Sequence, residues 1–333
     1  MKGVNVGIVG ATGMVGRAFL EVLSERKLPI DNYYFFSSAR SAGKRIQFLG
    51  KEYTLIELDE YIVDYKLDIA LFSAGAKVSL QYAPLLAKNN CVVIDNSSAF
   101  RMDKDVPLVV PEVNAGEVKK HNGIIANPNC STIQAVVALK PIEDKYRIKR
   151  IVYSTYQAVS GAGMKGYTEL ENSLKGGAPV NFPHPIANNC LPHIDVFTES
   201  GYTKEEIKMV EETRKILNRP DLAITATTVR VPVFDCHSES INIEFEKDFD
   251  LTELIETLRE APSIIVQNNH MGSEYPLATN AKGHDEVYVG RIRRDMSVKY
   301  GINMWVVADN IRKGAATNAV QIAESVLEEY FRG

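Results

Sequence analysis

The chain has 333 residues, 45% hydrophobic and 24% charged, a composition typical of a globular protein with two domains. Its net charge of -4, without a basic block, argues against a nucleic-acid partner, and no apolar run has the length of a membrane span. The N-terminus enters a strand without a signal-peptide pattern and the four cysteines are widely spaced, so we expect a cytoplasmic protein with no structural metal site.

The first 120 residues alternate strand-like and helix-like stretches. The predicted strands are 4–9, 33–37, 69–73 and 92–95, and the predicted helices are 13–26 and 78–88. This alternation predicts an α/β fold in which helices cover a parallel sheet.

A glycine-rich turn joins the first strand to the first helix. It reads Gly-Ala-Thr-Gly-Met-Val-Gly over residues 10–16. Glycines in this position allow the backbone amides at the helix start to approach a pyrophosphate. The predicted dinucleotide contacts in this turn are Gly10, Thr12, Gly13, Met14 and Val15.

The end of the second strand bears on the choice of cofactor. An NAD site usually has an acidic residue there, whereas this chain has Ser38, Arg40 and Ser41. A guanidinium with neighbouring hydroxyls suits a 2′-phosphate, which favours NADP(H). The alternative is an ordinary polar loop with a solvated arginine.

Cys130 follows a short apolar strand at 123–126 and Pro128, and precedes a predicted helix at 131–139. We therefore expect Cys130 to cap the helix N-terminus, where the positive end of the helix dipole favours a thiolate and lowers the thiol pKa. This predicts a nucleophile at Cys130. The other three cysteines, Cys91, Cys190 and Cys236, are expected to be buried and structural.

From residue 150 onward the pattern changes to a second domain with a more antiparallel sheet. Strands are predicted at 151–157, 223–233, 239–245, 287–293 and 302–308, with a flexible glycine loop at 158–166 followed by a helix at 167–174. Alternation over 238–245 predicts one buried and one solvated face, suitable for a subunit interface. A last helix at 315–331 is expected to return to the first domain.

Two polar residues of the second domain are candidates for substrate binding and acid–base catalysis. Arg230 lies in a β-branched strand, where a charge favours an anionic partner such as a substrate carboxylate. His237 is a candidate general base. It can take the proton of the thiol and later exchange a proton with the reacting oxygen. A structural ion pair and a satisfied core histidine are equally compatible with the pattern.

Four segments together resemble the aspartate-semialdehyde dehydrogenase family, in the same order over almost the whole chain. They are the turn at 10–16, Asn-Pro-Asn-Cys-Ser-Thr at 127–132, Gln-Ala-Val-Ser-Gly-Ala-Gly at 157–163, and the stretch 230–237. The resemblance implies NADPH-dependent reduction of 4-phospho-L-aspartate to aspartate 4-semialdehyde in the aspartate pathway. It also implies a Rossmann-type doubly wound domain over 1–130 and 314–333, an α+β catalytic and dimerisation domain over 131–313, and a homodimer.

The resemblance further implies roles for individual residues. Cys130 would form an acyl-thioester, His237 would act as acid and base, and Gln157 would orient the substrate. Arg230 would hold the substrate α-carboxylate and Glu205 its amino group. The implied phosphate contacts are Arg101, Asn129 and Lys208, and the implied contacts near the nicotinamide are Ser160, Gly161 and Asn310.

Simple physical arguments bear on some of these roles. Arg101 follows the carboxyl end of a strand, where ligands of α/β sheets bind, although surface placement is the rival. Glu205 and Lys208 are three residues apart on one predicted helix face, a spacing that also suits a solvated pair. N-acetyl-γ-glutamyl-phosphate reductase, which has related chemistry, and a catalytically dead nucleotide-binding relative are the alternative functions. The segment 175–195 is not assigned to a part of the family pattern, and a lid, a dimer contact and a plain loop are its alternative roles.

Overall fold

In a computed structural model, which describes residues 3–332, the chain forms two compact units. The first comprises residues 3–128 with 315–332, and the second comprises residues 129–314.

The first unit is built on a parallel sheet. Its strands are β1 (Asn5–Val9), β2 (Asn32–Ser37), β3 (Arg45–Phe48), β4 (Lys51–Thr54), β5 (Ile56–Glu57), β6 (Ile69–Phe72), β7 (Val92–Asp95) and β8 (Ile124–Ala126). Its helices before residue 129 are α1 (Met14–Arg26), α2 (Ala76–Lys88) and α3 (Pro111–Asn114), with short 3-10 helices at Glu60–Tyr65 and Ala115–Lys120. Strands β3 and β4 form a separate antiparallel hairpin.

The remaining six strands lie in the order β5-β2-β1-β6-β7-β8 and every neighbouring pair is parallel. The order reverses between β1 and β6, as in Rossmann-type sheets, where ligands bind at the carboxyl ends of the strands beside the reversal. Buried apolar side chains such as Val9, Phe36 and Phe72 fill the space between this sheet and its helices. The predicted α/β fold class is confirmed.

The second unit is built on a mixed sheet. In chain order its elements are α4 (Cys130–Tyr146), β9 (Ile148–Gln157), a 3-10 helix (Val159–Ala162), α5 (Met164–Leu174), α6 (Lys204–Ile216), β10 (Ala223–Arg230), β11 (His237–Phe245), α7 (Leu251–Glu260), β12 (Ile264–Gln267), α8 (Ala278–Ala281), β13 (Val287–Arg294) and β14 (Gly301–Ala308). The sheet order is β10-β9-β11-β14-β13-β12, and the three central pairings are antiparallel. The expected antiparallel character therefore belongs to the centre of the sheet, since both edge pairs are parallel.

The chain ends in α9 (Asn318–Arg332), which follows a π-helical stretch at Arg312–Thr317. Helix α9 contacts α1, β6 and β7 of the first unit. The ion pair between Arg26 and Glu324, 2.7 Å long, joins α1 to α9.

Several local expectations were wrong. The glycine stretch 158–166 is not a flexible loop, because it forms the 3-10 helix and the start of α5, and a Cβ on Gly166 would lie 2.3 Å from the Val159 carbonyl oxygen. Cys190 is exposed, whereas Cys91 and Cys236 are buried as expected. Helix α4 continues past Pro141 to Tyr146, and its buried residues there are Ile142, Glu143 and Tyr146.

The expected strand at 223–233 ends at Arg230, two residues before Pro232, which cannot donate a hydrogen bond to a sheet. The hairpin β3–β4, helix α7 and strand β12 had no counterpart among the predicted elements.

Candidate active site

Cys130 is the first residue of α4, and the N-cap is Asn129 rather than the cysteine. The Asn129 Oδ1 accepts hydrogen bonds from the Ser131 N–H at 3.1 Å and from the Cys130 thiol at 3.2 Å. Asparagine is one of the preferred N-cap residues because its side chain satisfies an otherwise unpaired helix amide. The helix therefore begins one residue earlier than predicted, and Cys130 is its first residue instead of its N-cap. The sulfur is still at the helix start.

The backbone around Cys130 is held from two further directions. The Asn129 N–H donates to Glu212 Oε2 on α6 at 2.7 Å. A Cβ on Gly314 would lie 2.9 Å from the Cys130 Cβ, so only glycine fits beside the cysteine. The helix start is therefore locked in place, which is what a nucleophile with a fixed direction of attack requires.

Glu205 is a buried residue of α6 that has polar contacts with three other residues. Its Oε1 accepts from Asn129 Nδ2 at 2.7 Å and from Gln157 Nε2 at 3.2 Å. Its Oε2 lies 3.2 Å from Lys208 Nζ. Burial by itself would raise the pKa of Glu205, but the Lys208 charge and the hydrogen bonds together lower it below its usual range. Glu205 is accordingly an ionised carboxylate in a buried place.

Lys208 lies between two carboxylates. Its Nζ is 2.7 Å from Asp195 Oδ2, and this contact is shorter than the one to Glu205. Burial opposes its charge, yet the two carboxylates raise the pKa of Lys208. Asp195 gives the segment 175–195 a contact with the site. No pattern in the sequence links Asp195 to Lys208, because the two belong to different elements.

Gln157 is the last residue of β9 and is buried. Its Nε2 donates to Thr155 Oγ1 and to Glu205 Oε1, each at 3.2 Å. These two bonds fix which end of the amide is the nitrogen. The Gln157 Oε1 makes no hydrogen bond within residues 3–332, so it is the atom available to a ligand.

Arg230 is the last residue of β10 and is buried. Its NH1 donates to the Ala158 carbonyl oxygen at 2.7 Å. Burial lowers the pKa of Arg230, and negative charge at Glu205 and Cys130 opposes that change. Among the described residues, Arg230 has no ion-pair partner within 4 Å, so the structural ion pair named as an alternative is not found. The negative groups that act on Arg230 are Glu205 and Cys130.

His237 is the first residue of β11, and its ring is fully buried. Its Nδ1 accepts a hydrogen bond from the Ala158 N–H at 3.1 Å, and its Nε2 has no hydrogen-bond partner within residues 3–332. Burial, with the Arg230 charge as a second cause, holds the pKa of His237 well below its usual range.

The residues expected near the nicotinamide, Ser160, Gly161 and Asn310, contact one another or other residues of the second unit. Asn310 Nδ2 donates to Ser160 Oγ at 3.1 Å, and Asn310 Oδ1 accepts from the Cys236 N–H at 3.0 Å. A Cβ on Gly161 would lie 2.8 Å from Arg230 NH1 and 3.1 Å from His237 Cε1. The structure thus brings Gly161 against the arginine and the histidine.

The sequence pattern did not single out one buried acid of the second unit, Glu239. Glu239 lies on the buried face of β11, two residues beyond His237, and neither of its carboxyl oxygens has a hydrogen-bond partner in the described part of the chain. Burial, and then the negative charge of Glu205, raises the pKa of Glu239 well above its usual range. The alternation of β11 predicts one buried face, and the structure puts this acid on it.

In the first unit, the turn after β1 is shaped for close approach to a ligand. Gly10 has a φ of +88°, and a Cβ there would lie 2.5 Å from the Ser73 carbonyl oxygen. A Cβ on Gly16 would lie 2.2 Å from the Gly10 carbonyl oxygen. The N-cap of α1 is Gly13, which supplies no side-chain cap. The amides of Met14 and Val15 at the helix start are consequently suited to a phosphate.

The segment after β2 lies at the same edge of the sheet, because β1 and β2 are parallel neighbours and the Gly10 N–H donates to the Phe36 carbonyl oxygen at 3.0 Å. Arg40 is exposed and has no ion-pair partner among the described residues. Ser41 is buried, and its N–H donates to the Ser38 carbonyl oxygen at 2.8 Å. These residues fit a dinucleotide whose ribose end carries negative charge.

Arg101 is also in the first unit. Its Nε donates to the Asn127 carbonyl oxygen at 2.9 Å and its NH2 to the Asn96 carbonyl oxygen at 2.9 Å. Surface placement, the rival expectation, is wrong, since Arg101 is buried.

Comparison with known proteins agrees with this arrangement. The family model "Semialdehyde dehydrogenase, NAD binding domain" matches residues 5–121, and "Semialdehyde dehydrogenase, dimerisation domain" matches residues 139–313. The first match indicates a nicotinamide dinucleotide cofactor. No helix in the described part of the chain is long and apolar enough to cross a membrane.

Aspartate-semialdehyde dehydrogenase of Aquifex aeolicus is 58% identical over 98% of this chain and 99% of its own length. The Vibrio cholerae aspartate semialdehyde dehydrogenase II complexed with ASA has a TM-score of 0.95 at 47% identity, covering 99% of this chain and 100% of that one. The Candida albicans enzyme with NADP has a TM-score of 0.77 at 25% identity, covering 98% of each chain. The chain belongs to the aspartate-semialdehyde dehydrogenase family.

Proposed function

We propose that this protein reduces 4-phospho-L-aspartate to L-aspartate 4-semialdehyde with NADPH and releases inorganic phosphate through a thioester on Cys130. The observation that carries the proposal is the bonding of Cys130 at the start of α4, through Asn129, to the ionised carboxylate of Glu205. A relative with a TM-score of 0.95 is described as complexed with ASA, which supports the substrate class.

The charges of the second unit suit an amino acid substrate. Glu205 is a buried carboxylate that can receive an ammonium group, and Arg230 is a buried guanidinium that can hold a carboxylate in a forked hydrogen-bond pair. Lys208 and Asn129 would bind the phosphate, with Arg101 as the third phosphate contact. Gln157 would orient the substrate through its Oε1.

The Cys130 sulfur would attack the acyl carbon at the helix N-terminus, where the helix dipole favours a thiolate and backbone N–H groups can stabilise a tetrahedral oxyanion. The bond between this carbon and the phosphate oxygen then breaks, leaving a thioester. Bound NADPH supplies the hydride for reduction of that thioester. The thiohemiacetal would then collapse to the aldehyde and the Cys130 thiolate, with His237 supplying or accepting the proton.

A substitution of the cysteine tests this mechanism. Cys130→Ala should fold and bind NADPH while losing turnover by several orders of magnitude, because no thioester can form. The control is Cys190→Ala, since Cys190 is an exposed cysteine whose loss should leave turnover unchanged. Turnover is measured as the rate of NADPH formation from NADP in the presence of aspartate semialdehyde and phosphate. Near-normal turnover in Cys130→Ala would contradict the covalent mechanism.

We further propose NADP(H) rather than NAD(H) as the cofactor. The support is the guanidinium of Arg40, which is exposed, has no ion-pair partner within residues 3–332 and follows the strand beside β1. Arg40→Ala should raise the KM for NADPH and leave the KM for NADH nearly unchanged. Arg45→Ala is the matched control, because Arg45 is an exposed arginine already paired with Glu52 at 2.6 Å. Equal effects on both coenzymes would refute this assignment.

The division of labour and the assembly are part of the same proposal. We assign cofactor binding to the first domain and catalysis with dimerisation to the second. The expected bounds, 1–130 with 314–333 and 131–313, leave Cys130 in the first domain, whereas the second unit of the structure, residues 129–314, contains it. A homodimer would use the half-exposed face of the second sheet, where Tyr156 and Trp305 lie 5.4 Å apart between ring centroids. Light scattering of the purified protein tests this, and a monomer at micromolar concentration would contradict it. The cytoplasmic location stays a prediction.

A further inference from the structure

The ammonium group of Lys208 is shared between two carboxylates that belong to different elements. Its Nζ lies 2.7 Å from Asp195 Oδ2 and 3.2 Å from Glu205 Oε2. Glu205 is on the same helix, three residues earlier, and this spacing by itself is enough to pair the two side chains. The shorter contact is nevertheless the one to Asp195, which lies in the segment before α6. Asp195 therefore draws the lysine away from Glu205.

The start of α6, which carries Glu205 and Lys208, is held against the sheet. Thr203 and Glu206 form a capping box, in which Glu206 Oε2 accepts from the Thr203 N–H at 2.7 Å. Glu206 Oε1 accepts from the Thr228 N–H of β10 at 3.0 Å. Because these bonds fix the helix backbone, rotation of the Lys208 side chain is what changes the distances from its ammonium group to the two carboxylates.

Asp195 is held on both sides along the chain. Before it, Leu191 exchanges two backbone hydrogen bonds with Arg230, each 2.8 Å long. After it, the Val196 carbonyl oxygen accepts from the N–H of the first residue of α6 at 2.9 Å. Asp195 Oδ1 accepts from the Val196 N–H at 2.9 Å, which leaves Oδ2 for Lys208. The φ of Asp195 is +67°, a conformation that aspartate and asparagine tolerate better than most residues.

The acceptor positions of Glu205 show what this arrangement leaves open. Its Oε1 already accepts from Asn129 Nδ2 at 2.7 Å and from Gln157 Nε2 at 3.2 Å. Among the residues that the structure describes, its Oε2 accepts from Lys208 alone. Since each carboxylate oxygen can accept two hydrogen bonds, Oε2 keeps one position for an incoming donor.

The charges of the group favour a cationic donor at that position. Burial alone would raise the pKa of Asp195 and of Glu205, but Lys208 is the next cause and the pKa of each acid is lowered. The two carboxylates in turn raise the pKa of Lys208 against the effect of burial. Two negative charges thus surround one positive charge, and one negative charge is left over. Arg230, on which Glu205 also acts, is the cation assigned to the substrate carboxylate.

We propose that Asp195 is a positioning residue, which holds Lys208 partly away from Glu205 and so keeps Glu205 open to the ammonium group of the substrate. For the identity of the substrate, this role rests on the proposed function. Without the carboxylate of Asp195, Lys208 would close on Glu205, occupy the open position at Oε2 and neutralise its charge. The last residue of the segment 175–195 thereby acts on the substrate site without contacting the substrate.

Asp195→Asn removes the charge and keeps a residue that tolerates a positive φ. Asparagine has one side-chain oxygen, so it cannot accept from both Val196 and Lys208. The KM for aspartate semialdehyde should rise on the order of fivefold, the size expected for the loss of one partly exposed charge pair. The kcat should not change, because the ammonium group is bound equally in the ground state and in the transition state.

The matched control is Glu211→Gln on the same helix. Glu211 is a partly exposed acid paired with Arg214 at 3.0 Å, and its loss should leave both constants unchanged. Succinate semialdehyde, which is aspartate semialdehyde without its amino group, distinguishes the proposed role from a purely structural one. Its inhibition constant should be the same in the wild type and in Asp195→Asn. An unchanged KM for aspartate semialdehyde, or an equal rise in both constants, would overturn the proposal.

A crystal structure of the whole Asp195→Asn protein without substrate tests the resting geometry. The distance from Lys208 Nζ to Glu205 Oε2 should shorten from 3.2 Å to about 2.8 Å, the length of a charge-assisted hydrogen bond. A lysine that keeps its distance from Glu205 would overturn the proposal, and this measurement needs no turnover. Absence of phosphate-dependent NADP reduction in the wild type would instead refute the proposed function, and the crystal structure would still decide the role of Asp195.

Discussion

Replacing Asn129 by alanine should destabilise the second unit by more than the loss of a helix cap. The side chain caps α4 through the Ser131 N–H at 3.1 Å, and an N-cap contributes about 1 kcal/mol. It also donates to the buried Glu205 carboxylate at 2.7 Å, and a hydrogen bond to a charged group contributes about 1.5–3 kcal/mol. Together the free energy of unfolding should fall by about 2.5–4 kcal/mol.

The control separates the two contributions. Asp250 is the N-cap of α7, and its side chain accepts from the Glu253 N–H at 2.8 Å in an exposed place. Asp250→Ala should therefore lose only the cap, about 1 kcal/mol.

Urea unfolding followed by tryptophan fluorescence is the suitable assay. The chain has one tryptophan, Trp305, which lies in β14 of the second unit and reports on the unit that contains both positions. If Asn129→Ala and Asp250→Ala lowered the free energy of unfolding equally, the bond from Asn129 to Glu205 would contribute nothing to stability, and the reasoning about a buried polar centre would be refuted.

Two further predictions concern space and charge around the site. Gly161→Ala should lower kcat/KM by roughly tenfold to a hundredfold. The new Cβ would lie 2.8 Å from Arg230 NH1 and 3.1 Å from His237 Cε1, so both side chains would have to move. Gly116→Ala, with nothing within 4 Å of its Cβ, is the control in steady-state kinetics, and equal rates in both would contradict a close-packed site. Glu239→Gln should raise the melting temperature more at pH 8 than at pH 5. Since the folded pKa of Glu239 is raised, the wild type is fully stabilised only below the unfolded pKa of about 4.3 and loses about 1.4 kcal/mol per pH unit above it until the folded carboxyl ionises. A melting-temperature difference that does not change with pH would mean that Glu239 is ionised in the folded protein.

The local features of the fold follow from the sequence. Alternating apolar strands and amphipathic helices predict the parallel sheet of the first unit, and strand β7 is found at the predicted residues 92–95. The glycines at 10 and 16 predict a tight turn because no other residue fits against the neighbouring backbone. Cys130 is expected at a helix start because Pro128 ends the preceding strand. Each of these features depends on residues that are close together along the chain.

The family resemblance also predicts which polar residues belong to the site, but not how they contact one another. The bond from Asn129 to Glu205 spans 76 residues and that from Gln157 to Glu205 spans 48. Asp195 reaches Lys208 only because the segment before α6 passes beside that helix. Periodicity predicts which face of an element is buried, and it contains no information on which distant side chain will meet that face.

The sequence alone determined the parallel sheet, the tight glycine turn after β1 and the cysteine at a helix start, because propensity, proline and glycine act within a few residues. Only the tertiary structure decided how the pKa of each buried group shifts. The raised pKa of Glu239 depends on full burial and then on the charge of Glu205. The His237 ring is oriented by a backbone N–H, that of Ala158, 79 residues earlier in the chain. Protonation responds to dielectric surroundings and to hydrogen-bond partners, and the chain acquires both only when the second unit has folded.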